Sequence, residues 1–197
     1  MAMLNELYYT DTIEKIRKFT LAAVSQDRYE HSVRTAETAQ KMCVLFGVDE
    51  KRGYLAGIGH DMCKDMDAAL LVELASKDGR PFSALETKKP SLLHGRAAAV
   101  KMHDDFGIDD KEILQAVAYH TFGGVDLCPL AKILYAADKI EPGRDYVTDG
   151  YLKKLFAMDL DSLVYTVLKE SIDYLREKGK SVAPESLLFL DSLRKKD

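Results

Sequence analysis

Apolar residues recur every three or four positions along almost the whole chain, and no stretch alternates apolar and polar residues between hairpin turns. This period predicts helices over about 11–24, 28–46, 50–65, 67–77, 93–106, 110–121, 129–140, 149–156, 158–178 and 184–195. Punctuating residues support the reading. Asp49 stands where it can cap the helix beyond Gly47, and Asp109 with Glu112 has the spacing of a capping box. Gly47, Gly107 and Gly123 each follow a periodic segment, as glycine does at a helix C-terminus. The stretch 77–91, with Gly79, Pro81 and Pro90, reads as the longest loop. No linker-like, repeated or low-complexity tract breaks the pattern. The expectation is one all-α domain over 1–197, with its core at about 25–146 and packing helices at about 149–195.

Helical phase also sorts the polar residues. Each residue of a helix turns by about 100°, so Ile113, Val117 and His120 share a face and the histidine points inward. Leu130, Leu134 and Asp138 form a similar row, which sets a carboxylate on an apolar stripe. An unpaired buried carboxylate is costly, so Asp138 needs a metal ion or a neighbouring lysine or arginine. His60 follows Gly53, Ala56 and Gly57, small residues on its own face that let another helix or a ligand come close. With His31, His94 and Asp61 the chain holds four inward histidines and two acids on five helices. A lone histidine on an apolar face is ordinarily a core residue bonded to a carbonyl. Six such groups together are better explained as a ligand set, and imidazole with carboxylate suits Fe, Mn, Zn or Ni without cysteine. His103 faces away from His94, and His103-Asp104 reads as a solvated surface pair.

His60 and Asp61 are adjacent, so both reach a metal only from a bent or ending helix, or if one of them bridges two ions. A short carboxylate with two oxygens suits Asp61 for joining metals about 3.5–4 Å apart. Two such ions can hold a hydroxide between them and polarise a phosphoryl oxygen, the machinery of phosphate ester and anhydride hydrolysis.

Composition narrows the partners. The 32 acids against 28 bases give a net charge of −4, so no global basic field draws in nucleic acid. Cys43, Cys63 and Cys128 are odd in number and too few for a disulfide framework, which suits a reducing cytoplasm. The first residues lack the apolar region of a signal peptide, and nowhere do about 18 apolar residues run together. Neither export nor a membrane span is expected.

The order His31 … His60-Asp61 … His94 … His120 … Asp138 resembles the H…HD…H…H…D pattern of two-metal members of the HD superfamily of phosphohydrolases. More narrowly, RYEHSVRTAETAQ (28–40), AGIGHDMCKD (56–65), LLHGRAAA (92–99) and AYHTFGGVDLCPLAKILYAADKIEPGRDY (118–146) resemble the YqeK-type symmetrical dinucleoside tetraphosphate hydrolases of bacteria. An HD dipeptide alone is weak evidence; HT-x-G followed by ADKIEPGR is far more specific. The resemblance implies a first metal on His31, His60, Asp61 and Asp138, and a second on Asp61, His94 and His120. It suggests iron, while the ligands equally permit manganese or nickel. The implied substrate is diadenosine tetraphosphate or a guanosine analogue, cut into two nucleoside diphosphates by a metal-bridging hydroxide. Met62 and Cys63 before Lys64, and Cys128 where methionine is expected, depart from the family's pattern in packing and not in ligation.

Positive charge on the phosphate chain matters more in such a reaction than a strong general acid. Lys64, three residues after Asp61, is expected to supply it, with Arg34, Lys139 and Arg144 as further bases. Thr121 and Gly123 are expected to shape the nucleotide pocket. The plain alternative for each base is a solvated side chain or a salt bridge, for instance Lys139 with Glu141. The apolar row in 151–179 reads as core packing, with a homodimer face as the alternative. Competing functional readings are an HD nucleotidase acting on another phosphorylated nucleotide or metabolite, and a non-catalytic metal-bound nucleotide sensor.

Overall fold

The computed structural model describes residues 2–194, with side chains from Tyr8 onward. These residues form α-helices and one 3-10 turn, with no strand among them. In chain order the helices are α1 (Ala2–Ala23), α2 (Gln26–Leu45), α3 (Glu50–Gly59), α4 (Ala68–Ser76) and α5 (Ala84–Lys88). After a 3-10 turn at Pro90–Leu93 come α6 (His94–Phe106), α7 (Lys111–Tyr119), α8 (Pro129–Ile140), α9 (Asp149–Leu155), α10 (Leu160–Glu177) and α11 (Pro184–Ser192). None of them is long and apolar enough to cross a membrane.

Local chemistry explains the ends that matter for the site. The Asp49 carboxylate caps α3 by accepting from Lys51 N (2.9 Å) and Arg52 N (3.2 Å). Gly107, at φ +66°, closes α6, and Ile108 N reaches back to Met102 O at 3.1 Å, the double closure that a left-handed residue allows. Gly53 and Gly57 bring α3 down on α2: a Cβ at Gly57 would lie 2.4 Å from Ala36 Cα, and one at Gly53 2.5 Å from Cys43 Sγ. The core fills with Met42, Leu55, Ile58, Met62, Leu93, Met102, Ile113, Leu130 and Leu134, all buried, contributed by α2, α3, α6, α7, α8 and their connections. The same elements deliver the histidines.

Five expectations change. The predicted helix over 50–65 ends at Gly59, and residues 60–66 continue in tight turns, with Met62 N bonded to Gly59 O (3.1 Å) and Lys64 N to Asp61 O (2.9 Å). The cap of α7 is Asp110, not Asp109: its carboxylate accepts from Glu112 N (3.0 Å) and Ile113 N (3.3 Å), while the Asp109 side chain is 90% exposed. The loop expected over 77–91 contains α5 and the 3-10 turn. There Ser83 and Glu86 form the reciprocal capping box, and Arg96 of α6 ties Glu86 and Asp78 to the core. Finally, α1 starts at Ala2 and not near residue 11, and the last helix ends at Ser192; residues 195–197, including the end expected for that helix, lie outside the described residues.

Candidate metal centre

Five segments converge at one end of the bundle. His31 comes from α2, His60 and Asp61 from the turn that ends α3, His94 from the start of α6, His120 from just beyond α7, and Asp138 from the last turn of α8. The four histidines and Asp61 are buried at 5% exposure or less. Their rings pack edge to face in a chain, His31–His60 at 5.3 Å, His60–His120 at 4.8 Å and His120–His94 at 4.9 Å between centroids. Gly95 makes room for this: a Cβ there would stand 2.9 Å from His120 Cε1 and Nδ1.

All four imidazoles are oriented alike. Nδ1 of His60, His94 and His120 donates to the carbonyls of Gly57 (2.6 Å), Ser91 (2.8 Å) and Val117 (2.8 Å). Nδ1 of His31 donates to Glu141 Oε1 at 3.1 Å. In the neutral rings this leaves every Nε2 with its lone pair turned to the interior. Burial holds His120 neutral, lowering its pKa to about 4 against the pull of Asp61. For His31, burial lowers the pKa, but the carboxylates of Asp138 and Glu141 beside it outweigh burial and raise it. Burial opposes ionisation of Asp61 as well, but His60, His120 and His94 around it hold its pKa well below the usual carboxylate range. Lys139, His31 and His60 do the same for Asp138.

Asp61 stands in the middle and divides its oxygens. Oδ2 lies 3.9 Å from His31 Nε2 and 3.6 Å from His60 Nε2, while Oδ1 lies 3.0 Å from His94 Nε2 and 3.6 Å from His120 Nε2. Asp138 Oδ1 completes the first group, 3.0 Å from His31 Nε2 and 3.7 Å from His60 Nε2. Two triads with ligand spacing result, His31–His60–Asp61 and Asp61–His94–His120. Nε2 of His31, Nε2 of His60 and Oδ1 of Asp61 are buried and find no hydrogen-bond partner among the described residues. Unsatisfied buried atoms of this kind cost about 1–3 kcal/mol each. The Nε2 atoms of His94 and His120 also face each other at 3.0 Å, lone pair to lone pair. A divalent cation resolves both conflicts, so the residues fit the group that their chemistry implies.

The expected bases are less uniform. Lys64 Nζ sits 3.1 Å from His94 Nε2 and 3.8 Å from Asp61 Oδ1. Arg144 donates to Asp138 O (2.7 Å) and lies 3.2 Å from its Oδ1. Arg34 Nε donates to Glu141 Oε2 at 2.6 Å. Lys139 pairs with Asp138 (3.2 Å) and His120 O (3.2 Å), not with Glu141, and its Nζ lies over the Tyr135 ring, 3.9 Å from the centroid. Thr121 Oγ1 is 3.5 Å from His120 Nε2. Gly123 is turned toward α11, where a Cβ would fall 2.1 Å from Phe189 Cδ1; at φ +73° it closes the turn after α7. His103 is exposed and pairs with Asp104 and Asp109, apart from the cluster.

Two residues escaped the sequence reading. Arg28 NH1 donates to Asp61 Oδ2 at 2.9 Å, and Glu141 carries His31. Arg28 lies one turn before His31, a signal that helical spacing offered. Glu141 had none, since its role depends on where α8 ends. With Arg34 and Arg144 they line a cavity of about 370 Å³ beside His31.

This arrangement is that of an HD-domain protein, and the chain belongs to that family: the HD domain model matches residues 28–143. Among its relatives, the symmetrical bis(5'-nucleosyl)-tetraphosphatase of Staphylococcus aureus is 32% identical over 86% of this chain and 88% of that protein. The Bacillus subtilis protein of the same name is 31% identical over 87% of this chain and 94% of that one. A solved structure from Clostridium acetobutylicum, described as a predicted HD superfamily hydrolase involved in NAD metabolism, superposes with a TM-score of 0.83 at 27% identity, covering 91% of this chain and 95% of that one. Family and donor set together point to a divalent-metal site.

Proposed function

We propose that this chain is a metal-dependent phosphoric anhydride hydrolase that cuts diadenosine tetraphosphate, or a guanosine analogue, symmetrically into two nucleoside diphosphates. Two divalent ions would be held, one by His31, His60, Asp61 and Asp138 and one by Asp61, His94 and His120. The sequence resemblance favours iron, and manganese or nickel suit the same ligands. The observation that carries the reading is the division of Asp61, one oxygen toward each histidine group. When bound, such ions supply Lewis acidity toward a phosphoryl oxygen and lower the pKa of water.

The chain's own residues orient and neutralise. Lys64 places its ammonium beside His94 and Asp61, where charge on a phosphoryl group would develop. Arg28, Arg34 and Arg144 line the cavity next to His31, and planar guanidinium groups suit a phosphate chain. The departing nucleoside diphosphate is a good leaving group, so the site needs no strong general acid. Names of the relatives support this substrate over a nucleoside monophosphate.

Hydrolysis of diadenosine tetraphosphate in water enriched in heavy oxygen tests the proposal. Two ADP molecules are expected, one labelled, because water enters at one inner phosphorus and the bridging oxygen leaves with the other half. AMP with ATP would remove the symmetrical assignment. No cleavage, alongside rapid hydrolysis of a nucleoside monophosphate, would replace it with the nucleotidase reading.

A further inference from the structure

The two halves of the centre are unequal in their acids. Among the four histidines, only His31 gives its Nδ1 proton to a carboxylate, Glu141; the other three use main-chain carbonyls. Glu141 is 1% exposed and rigidly held. Its Oε2 accepts from Arg34 Nε and Gly143 N, both at 2.6 Å, and Arg144 Nε lies 3.5 Å from its Oε1. Arg34 can lie this close because residue 143 has no side chain: a Cβ there would fall 2.3 Å from Arg34 Nε. A carboxylate on the outer nitrogen fixes the imidazole and makes its inner nitrogen a stronger donor. The same half also contains Asp138. The His94–His120 half has neither acid. Bases stand beside both halves: Arg28 NH1 lies 2.9 Å from Asp61 Oδ2, and Arg144 NH2 and Lys139 Nζ each lie 3.2 Å from an Asp138 oxygen. Lys64 Nζ, 3.1 Å from His94 Nε2, opposes a cation on the second half, where no further carboxylate offsets it.

We infer that the centre has one tight and one weak metal site, and that Glu141, acting through His31, is the positioning residue that makes the first one tight. This rests on the two-ion reading above. The consequence is a protein that loads its His31–His60–Asp138 side first and exchanges metal at the His94–His120 side.

Metal-free protein titrated with cobalt(II) tests this, with the visible absorption of the ion reporting each site and a competing chelator setting the free concentration. Two steps are expected. Glu141→Gln, which keeps the shape and removes the charge, should weaken the first step by roughly 10–100-fold and leave the second in place. Glu141→Asp should recover part of that loss. Lys64→Met, at a side chain 31% exposed and so tolerant of change, should strengthen the second step and leave the first. That arm stands even if Glu141→Gln fails to fold. Two ions binding equally to the unaltered protein would overturn the inequality and leave the two-ion reading intact. An unchanged first step in Glu141→Gln, or an unchanged second step in Lys64→Met, would also overturn the proposal. Only one ion at any cobalt concentration would remove the two-ion reading itself.

Discussion

His60-Asp61 and His103-Asp104 are the same dipeptide in opposite surroundings. The side chains of His60 and Asp61 are 0% and 3% exposed, whereas those of His103 and Asp104 are 54% and 40% exposed. The second pair sits inside a continuous helix, α6, and satisfies itself, His103 Nδ1 to Asp104 Oδ1 at 2.9 Å. The first sits where α3 stops, so that successive residues leave the regular helical turn and both side chains reach one interior. Glycines at 53 and 57 then press this segment onto α2, which carries His31. The dipeptide alone is therefore uninformative. What gives it chemistry is a helix end pressed against other helices that bring their own histidines.

Substitutions break this contrast at several strengths. The largest effect is expected for Asp61→Ala: turnover should be abolished and metal content should fall, because both triads lose their shared ligand. Next comes Lys64→Ala. If its charge is used mainly in the transition state, its loss should slow hydrolysis by roughly one to three orders of magnitude while metal is retained. Metal analysis beside steady-state kinetics separates the two cases.

A pH series sharpens the contrast between buried and exposed imidazoles. His120 titrates at about 4 when folded because of burial, and near 6.5 when unfolded. Between those values the unfolded chain binds a proton that the folded one refuses, so this group makes metal-free protein less stable as pH falls from about 6.5 to about 4. Thermal melts of metal-free His120→Gln should therefore decline less steeply over that window than those of the unaltered protein. His103 has the opposite sign: Asp104 raises its pKa, so its small contribution is present at low pH and lost as pH rises through the folded value. The smallest effect is expected for His103→Ala, with activity within a factor of about a few, as for a surface ion pair. If it damaged turnover as much as Asp61→Ala does, the reasoning from helical faces would fail.

Much of this was legible in the sequence because it depends on helical phase. The row Ile113, Val117, His120 and the row Leu130, Leu134, Asp138 turn their last members inward as the spacing implied, and His103 falls outside the cluster. What depends on backbone beyond the helices was not legible. Apolar spacing continues through residues 60–66, so nothing in it marks the end of α3 at Gly59. Adjacent aspartates at 109 and 110 offer the same cap, and only backbone geometry selects Asp110. The short α5 is made by Ser83 and Glu86 with help from Arg96, a contact between distant residues. Glu141 follows the same rule: it lies at the end of α8 but acts on α2, and its proximity to Lys139 in sequence suggested the wrong partner.

Hydrolysis is expected to depend on metal held by the four buried histidines, Asp61 and Asp138. Metal analysis of anaerobically purified protein, paired with turnover of diadenosine tetraphosphate before and after chelation, addresses it most directly. Up to two transition-metal ions per chain are expected, with loss of turnover on their removal and recovery when they are returned. Full turnover in thoroughly metal-free protein would contradict it.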